Sequence, residues 1–338
     1  MKTLVLGGSV FVGRHLVELL HRQGHDVAVL NRGKTSTDLP ADVERLVADR
    51  TDLDQMRAVL AGRNWDVVFD VSGFVMAAGG SDVEGLLELL SGNVGRYVFV
   101  SSIMAYDQSL VGRFPWTEDM PTNPDGAGGY GGFKAASEGS MLARHRATGF
   151  PVTIVRPAAI YGPDNNIFDM ETPMFLRLLQ GRPVLVPHGG LVAGTYGHVD
   201  DLCAAMVALS ITPAAIGEVY NVSTDSVDVN TYIATLAEVV GAPANVVAVP
   251  DSMLSEITTP VFGHLFKVRH HAILSTVKLE SVIDTQHQYS LLAGHTNTYE
   301  WFCEQGWQQL EGTLSDPMWK ASWDFDAEAA FAERVARG

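Results

Sequence analysis

Tyr130 and Lys134 stand four positions apart in Tyr130-Gly131-Gly132-Phe133-Lys134. On a helix that spacing puts both on one face, one turn apart. A free phenol has a pKa near 10 and is a poor base at neutral pH. Lowering it to about 7 takes roughly 4 kcal/mol of preference for the phenolate. One ammonium about 4 Å away, at an effective dielectric near 20, supplies about that much. Lys134 is therefore expected to make Tyr130 a usable acid and base. An ordinary amphipathic helix start produces the same spacing without chemistry, so the surrounding elements have to decide.

Those elements alternate. Residues 3–6 read as a buried strand, followed by Gly7-Gly8-Ser9-Val10-Phe11-Val12-Gly13 and a helix to about Leu20. A second strand, Asp26 to Leu30, runs into Asn31-Arg32-Gly33-Lys34. Strand, glycine loop, helix and strand in that order make a dinucleotide-binding unit, with a helix N-terminus available for pyrophosphate. Strands at Val43–Ala48, Asp66–Val71 and Tyr97–Val100 alternate with helices at Leu53–Leu60 and Val83–Leu90. This pattern predicts a parallel sheet covered on both faces. Ser101-Ser102 ends the strand at 97–100, where ligands of such sheets bind.

The stretch from Asp107 to Gly129, rich in proline and glycine, is long for a loop and is expected to act as a lid. A helix from about Gly132 to His145 and a strand at Val152–Val155 follow. The strand runs into Arg156-Pro157-Ala158-Ala159-Ile160-Tyr161-Gly162-Pro163. Helices near 171–180, 199–209 and 230–240 then alternate with short strands at 184–186, 219–222 and 246–249. The fold class is α/β: a Rossmann-type doubly wound sheet over residues 1–165, with a smaller interlaced C-terminal substrate lobe over 166–338. The chain is expected to return to the first body near 195–225. Trp301, Trp307, Trp319 and Trp323 are expected to pack the tail.

With 338 residues the chain can bury a sizeable core, and a formal charge of −16 speaks against nucleic acid as a partner. The N-terminal residues show no signal-peptide pattern and no apolar run has membrane-span length, so a cytoplasmic protein with no membrane partner is expected. Cys203 and Cys303 fit no motif and read as reduced thiols. His270-His271 are adjacent and diverge, so no metal site is expected. The acidic residues of His198-Val199-Asp200-Asp201 suit a helix N-terminus.

Taken together, the glycine loop, Asp49, Ser102, Tyr130-to-Lys134, Arg156-Pro157, Tyr161-Gly162-Pro163 and His198-Val199-Asp200-Asp201 resemble the extended short-chain dehydrogenase/reductases. The NAD(P)-dependent epimerase/dehydratase group is the part of that superfamily they resemble. The resemblance implies that Gly7, Ser9, Val10, Phe11, Val12 and Gly13 lie under a cofactor pyrophosphate. It implies that Asp49 accepts from the adenine amino group with Arg50 beside it. Val71, Ser72 and Gly73 would line the cofactor, as would Ser101, and Pro157 would meet the nicotinamide carboxamide. Ser102 would polarise the reacting oxygen and Tyr130 would move the proton. Lys134 would hold the ribose hydroxyls and depress the tyrosine's pKa.

Three departures narrow this. Val10 stands where the family usually has glycine, as in an atypical subgroup with chloroplast RNA-associated members. Ile103-Met104 replaces the acidic pair of the sugar-nucleotide dehydratases and cannot supply the acid and base for eliminating water. Gly131-Gly132 sits at the head of the catalytic helix, where each glycine costs roughly 1 kcal/mol against alanine, so a loose start is expected. At the cofactor's adenosine end, Asn31 replaces the usual acid, with Arg32 and Lys34 close by. No carboxylate repels a 2′-phosphate there, so NADP is favoured over NAD.

The implied activity is hydride transfer at a secondary alcohol or ketone of a sugar-like small-molecule substrate. An epimerase comes first, an NADPH-dependent ketone reductase second, and a non-catalytic cofactor-binding protein third. A homodimer is expected through helices at about 81–91 and 132–146, with Val83, Leu86, Leu87 and Leu90 as an apolar stripe.

Overall fold

The computed structural model describes residues 1–34, 38–72, 81–107, 109, 113–165, 170–257, 270–307 and 324–337, without the side chains of residues 81 and 82. Gly73, Trp319 and Trp323 lie outside the described residues. The chain divides into two compact units. The first comprises Met1–Ile160, Val199–Ser223 and Leu274–Gln288, and the second comprises Tyr161–His198, Thr224–Ile273 and Tyr289–Gly338.

Unit 1 is built on a seven-stranded sheet. Along the whole chain the elements begin with β1 (Lys2–Leu6), α1 (Phe11–Arg22), β2 (Asp26–Asn31), β3 (Glu44–Val47) and α2 (Leu53–Leu60). Then come β4 (Trp65–Asp70), α3 (Ser81–Leu90), β5 (Val94–Val100), α4 (Gly129–Thr148) and β6 (Val152–Pro157). After β7 (Ala159–Tyr161), α5 (Glu171–Leu179), β8 (Pro183–Val186) and β9 (Ala193–His198), the chain forms α6 (Val199–Ile211) and β10 (Glu218–Val222). The remaining elements are β11 (Asp225–Asp228), α7 (Val229–Val240), β12 (Asn245–Ala248), α8 (Val277–Glu280), α9 (Leu291–Glu304) and α10 (Phe325–Arg337).

The sheet order is β10-β6-β5-β4-β1-β2-β3, and every pairing is parallel. The order reverses beside β1, so the ends of β1 and β4 open a crevice there. Continuous apolar runs explain the strands: Leu4, Val5, Leu6, Val68, Phe69, Val98 and Phe99 have no exposed surface. One core packs α1 and α6 on one face of the sheet, through Leu16, Val17, Leu20, Leu202 and Met206. The other packs α2, α3 and α4, through Met56, Leu86, Leu87, Leu90 and Met141. Val83, Leu86, Leu87 and Leu90 are therefore buried against the chain's own sheet, and this stripe is not a surface for a second copy.

In unit 2, β8 pairs in parallel with β12, and β9 pairs antiparallel with β11. Rings from distant segments stack inside it. Tyr161 lies flat on His295 at 3.9 Å and Tyr196 on Tyr232 at 4.7 Å, while His198 sits tilted against Tyr289 at 3.9 Å. Trp301 meets Trp307 edge to face at 5.2 Å. The buried Arg177 donates through Nε to Glu328 Oε2 at 2.8 Å and through Nη2 to the other oxygen, fastening α10 to α5.

The long segment before α4 is pinned in its described part, which corrects the expectation of a lid. Trp116 is buried, and its carbonyl accepts from Ser275 N and from Asn221 Nδ2. Tyr106 bridges to Thr122, and Arg156 Nη1 donates to Glu118 O at 3.2 Å.

Candidate active site

Helix α4 starts three residues earlier than the glycines suggest, so Gly131 and Gly132 lie inside its first turns. They are not a loose end. A Cβ on Gly131 would lie 2.1 Å from Met104 O, and one on Gly132 2.0 Å from Ala127 O. The two glycines let the helix press against the turn Ile103–Ala105 that follows β5. That contact brings Tyr130 to Ser102.

Ser102 is nearly buried, and its hydroxyl accepts from Met104 N at 3.1 Å and hydrogen-bonds Tyr130. Tyr130 itself is 47 % exposed, yet enough protein surrounds its hydroxyl for burial to raise the phenol's pKa, with the Ser102 hydrogen bond opposing the rise. Lys134, one turn on, is 2 % exposed. Its ammonium donates to Val100 O at 2.6 Å and lies 5.6 Å from the centre of the Tyr130 ring. Burial brings its pKa down to about 8; Asp70 and Glu138 oppose that, and Arg50 adds to it. The expected depression of the phenol by Lys134 is not seen. The ammonium is turned to the Val100 carbonyl, and burial dominates at the hydroxyl.

The glycine loop closes onto α1. A Cβ on Gly13 would meet Gly7 O at 2.1 Å, and Gly7 has φ +93° with Ser72 packed against it. Val10 caps α1 in an extended conformation and is 41 % exposed, so the β-branched side chain at the crest points away from the packed interior. Phe11 is buried, and Val12 packs against the same core. Asn31 Nδ2 donates to Ser9 Oγ at 2.7 Å and its Oδ1 accepts from Gly33 N at 2.7 Å, so Asn31 ties the loop to the turn after β2. Arg32 and Lys34 are exposed beyond it. Asp49 lies close enough for both cations to favour its charged form, after the larger effect of the Thr51 backbone and hydroxyl.

Two residues expected at the cofactor are engaged inside the protein. Arg50 is buried and forms a two-toothed ion pair with Asp70 at 2.6 and 2.8 Å, and also donates to Ser72 Oγ at 2.6 Å. Tyr97 Oη donates to the same carboxylate at 2.6 Å. Burial pushes the Asp70 carboxyl up, but Arg50 and Tyr97 outweigh it and hold the group below the usual range. The Ser101 hydroxyl, also buried, donates to Glu138. Val71 N and Ser72 N both donate to Leu6 O, which holds the end of β4 against β1, and Pro157 is buried at the end of β6.

Asp70 and Glu138 are the residues sequence reasoning missed, and Arg156 was singled out there only as part of Arg156-Pro157. A carboxylate four positions after Lys134 was a readable signal, because it must share the helix face. His198 is fully buried among rings. Asp200 pairs with His15 at 2.7 Å, and Asp201 accepts from Gln288 N at 2.7 Å. Among the described residues no cluster of three metal-capable side chains forms, and no helix is long and apolar enough to cross a membrane.

The family model for the NAD dependent epimerase/dehydratase family matches residues 3–223. The chain belongs to that family. It is 28% identical to a UDP-glucose 4-epimerase of Mycolicibacterium smegmatis, over 89% of this chain and 98% of that one. It is 27% identical to the chloroplast stem-loop binding protein of 41 kDa b of Arabidopsis thaliana, over 88% of this chain and 78% of that one. Among solved structures, a UDP-glucose 4-epimerase of Thermotoga maritima crystallised with UDP-glucose superposes with a TM-score of 0.75. Its identity is 23%, covering 90% of this chain and 99% of that one. This likeness establishes the Rossmann-type fold.

Proposed function

We propose that the protein is an NAD(P)-dependent epimerase acting at a secondary alcohol of a sugar or nucleotide-sugar-like substrate. The observation that carries this is the hydrogen bond between Tyr130 and Ser102 with Lys134 one turn behind, at the carboxyl end of a parallel strand. The loop residues fit a dinucleotide. The closeness of Gly7 and Gly13 makes a tight turn before a helix N-terminus, the arrangement that suits pyrophosphate. Gly7, Ser9, Val10, Phe11, Val12 and Gly13 would hold it, and Lys134 would meet the nicotinamide ribose. The bound cofactor would supply the acceptor and donor of hydride.

In this reading Ser102 holds the substrate oxygen and Tyr130 takes the hydroxyl proton as the carbon loses hydride. Tyr130 returns the proton when the ketone is reduced from its other face. The same groups serve a ketone reductase that stops after one transfer. The exposed Arg32 and Lys34 support NADP, and with it that second reading. A purely binding role leaves the Ser102–Tyr130–Lys134 arrangement without a use, and the charge of −16 opposes a nucleic-acid partner. A homodimer belongs to the proposal, through the outward side chains of α3 and α4; a monomeric mass by light scattering at micromolar concentration would remove it.

The test is Tyr130→Phe, assayed on nucleotide sugars with added NAD or NADP. Turnover should fall by about 10²–10⁴, the usual worth of general acid–base catalysis, with cofactor affinity unchanged. Near wild-type turnover in the variant would refute the assignment.

A further inference from the structure

Tyr130, Lys134 and Glu138 follow one another at four-residue intervals, so they line one face of α4 over two turns. Opposite them lie Val100, the last residue of β5, and the two residues that follow it. Each is tied to one member of the row. Val100 O accepts from Lys134, Ser101 Oγ donates to Glu138, and the Ser102 hydroxyl hydrogen-bonds Tyr130. The order is not monotonic. Ser101 points to the far end of the row while its neighbours point to the near end and the middle, so adjacent residues at the strand end are tied to opposite ends of the row.

The Glu138 rung also reaches a third element. Its carboxylate also accepts from Arg156 of β6, through Nε at 3.0 and 3.2 Å and through Nη2 at 2.6 Å. Arg156 lies over the Tyr106 ring at 4.5 Å, and Tyr106 Oη donates to Asn221 Oδ1 at 2.7 Å on β10. Glu138, Ser101 and Arg156 are all buried, so these bonds are shielded from competing water. A two-toothed arginine fixes the carboxylate in direction as well as in place.

We infer that Glu138 is a positioning residue: clamped by Arg156, it holds the Ser101 hydroxyl and thereby sets where Ser102 and Val100 meet Tyr130 and Lys134. Glu138 touches neither substrate nor cofactor in this assignment. It acts through the strand end, and it deepens the reading of Tyr130 as the proton-transfer group. A carboxylate that served only to neutralise Arg156 would have no need of the serine.

The experiment reads Tyr130 directly in the cofactor-free full-length protein. Tyrosines are replaced biosynthetically by 3-fluorotyrosine, whose more acidic phenol titrates where the fold holds. The fluorine resonance lost in Tyr130→Phe is that of Tyr130, and its titration midpoint is followed by NMR. Ser101→Ala removes the rung, changes no charge and leaves the Glu138–Arg156 pair intact. Glu138→Asp keeps the charge but shortens the reach to Ser101. Both variants should raise the Tyr130 midpoint by about one pH unit, as the Ser102 hydrogen bond that favours the phenolate is weakened.

A midpoint within about 0.2 units of wild type in both variants, whatever the unfolding temperature does, overturns the inference and makes Glu138 a structural ion-pair partner; so does a fall. If Ser101→Ala does not fold, Glu138→Asp decides by the same criterion. Because no substrate is used, this result is independent of the turnover of Tyr130→Phe. An unmoved midpoint beside an inactive Tyr130→Phe rejects Glu138 alone, and an active Tyr130→Phe rejects the catalytic reading alone.

Discussion

Replacing Lys134 by methionine should separate stability from function. The lysine is 2 % exposed, and burial takes its pKa from 10.5 to about 8. At neutral pH the folded protein therefore holds a charge that it would rather not hold. The difference corresponds to roughly 3 kcal/mol of destabilisation, at 1.36 kcal/mol per unit. Methionine fills a similar volume without the charge. Against the relief stand the hydrogen bond to Val100 O and the contact over the Phe99 ring at 4.9 Å, together worth about 1–3 kcal/mol. Lys134→Met should thus be as stable as wild type at pH 7, or up to about 2 kcal/mol more stable. It should also bind NAD(P) weakly and turn over poorly. The pH dependence is sharper. The folded pKa lies below the unfolded one, so between about 8 and 10.5 the unfolded chain binds more protons and wild-type stability rises with pH. The variant lacks this group, and the other groups cancel in the difference. Urea denaturation of both proteins at pH 7 and pH 10 measures it. Wild type should gain on the variant by up to roughly 3 kcal/mol. A difference that does not change with pH would show that Lys134 does not carry a depressed pKa.

Two other substitutions test neighbouring features. Arg32→Ala should weaken NADP by about 1.5–3 kcal/mol and NAD far less, as for a lost charge-assisted phosphate contact; equal losses in cofactor titrations would remove the 2′-phosphate reading. Gly131→Ala should lower both the unfolding temperature and turnover, because its Cβ would lie 2.1 Å from Met104 O and push α4 off the strand end. Gly139→Ala on the same helix meets nothing within 4 Å and should stabilise by about 0.5–1 kcal/mol. Calorimetry showing the two glycines to be equivalent would refute the close-approach explanation.

Periodicity carried most of unit 1 into view. The apolar runs at 3–6, 66–71 and 97–100 become β1, β4 and β5 within a few residues, and the helix at Leu53–Leu60 becomes α2. Spacing put Tyr130 and Lys134 on one helix face and Ser102 at a strand end; that the three belong together was implied only by the family resemblance. The partnerships that sequence order did not show have a common cause. Arg50 and Ser101 sit at positions that face a ligand by sequence order, but their partners Asp70 and Glu138 come from elements 20 and 37 residues away. A charged residue at the end of an apolar strand gives no local sign of whether it turns inward. The lid expectation failed for a similar reason. Trp116 is held by Asn221 and Ser275, more than 100 residues later, and no window of sequence contains both sides of that contact. The packed rings of unit 2 come from Tyr161, Tyr196, His198, Tyr232, Tyr289 and His295, which no period relates.

The Arg177–Glu328 pair also has a temporal side. The arginine leaves the ribosome 151 residues ahead of its counter-ion. Burying it alone would cost about 3–5 kcal/mol, so α5 has no settled place until α10 has been made. Every segment of unit 1 is complete by Gln288. Synthesis therefore supplies the seven-stranded sheet with all its strands while the second unit still lacks the helix whose Glu328 neutralises Arg177, and the two units are completed in a fixed order.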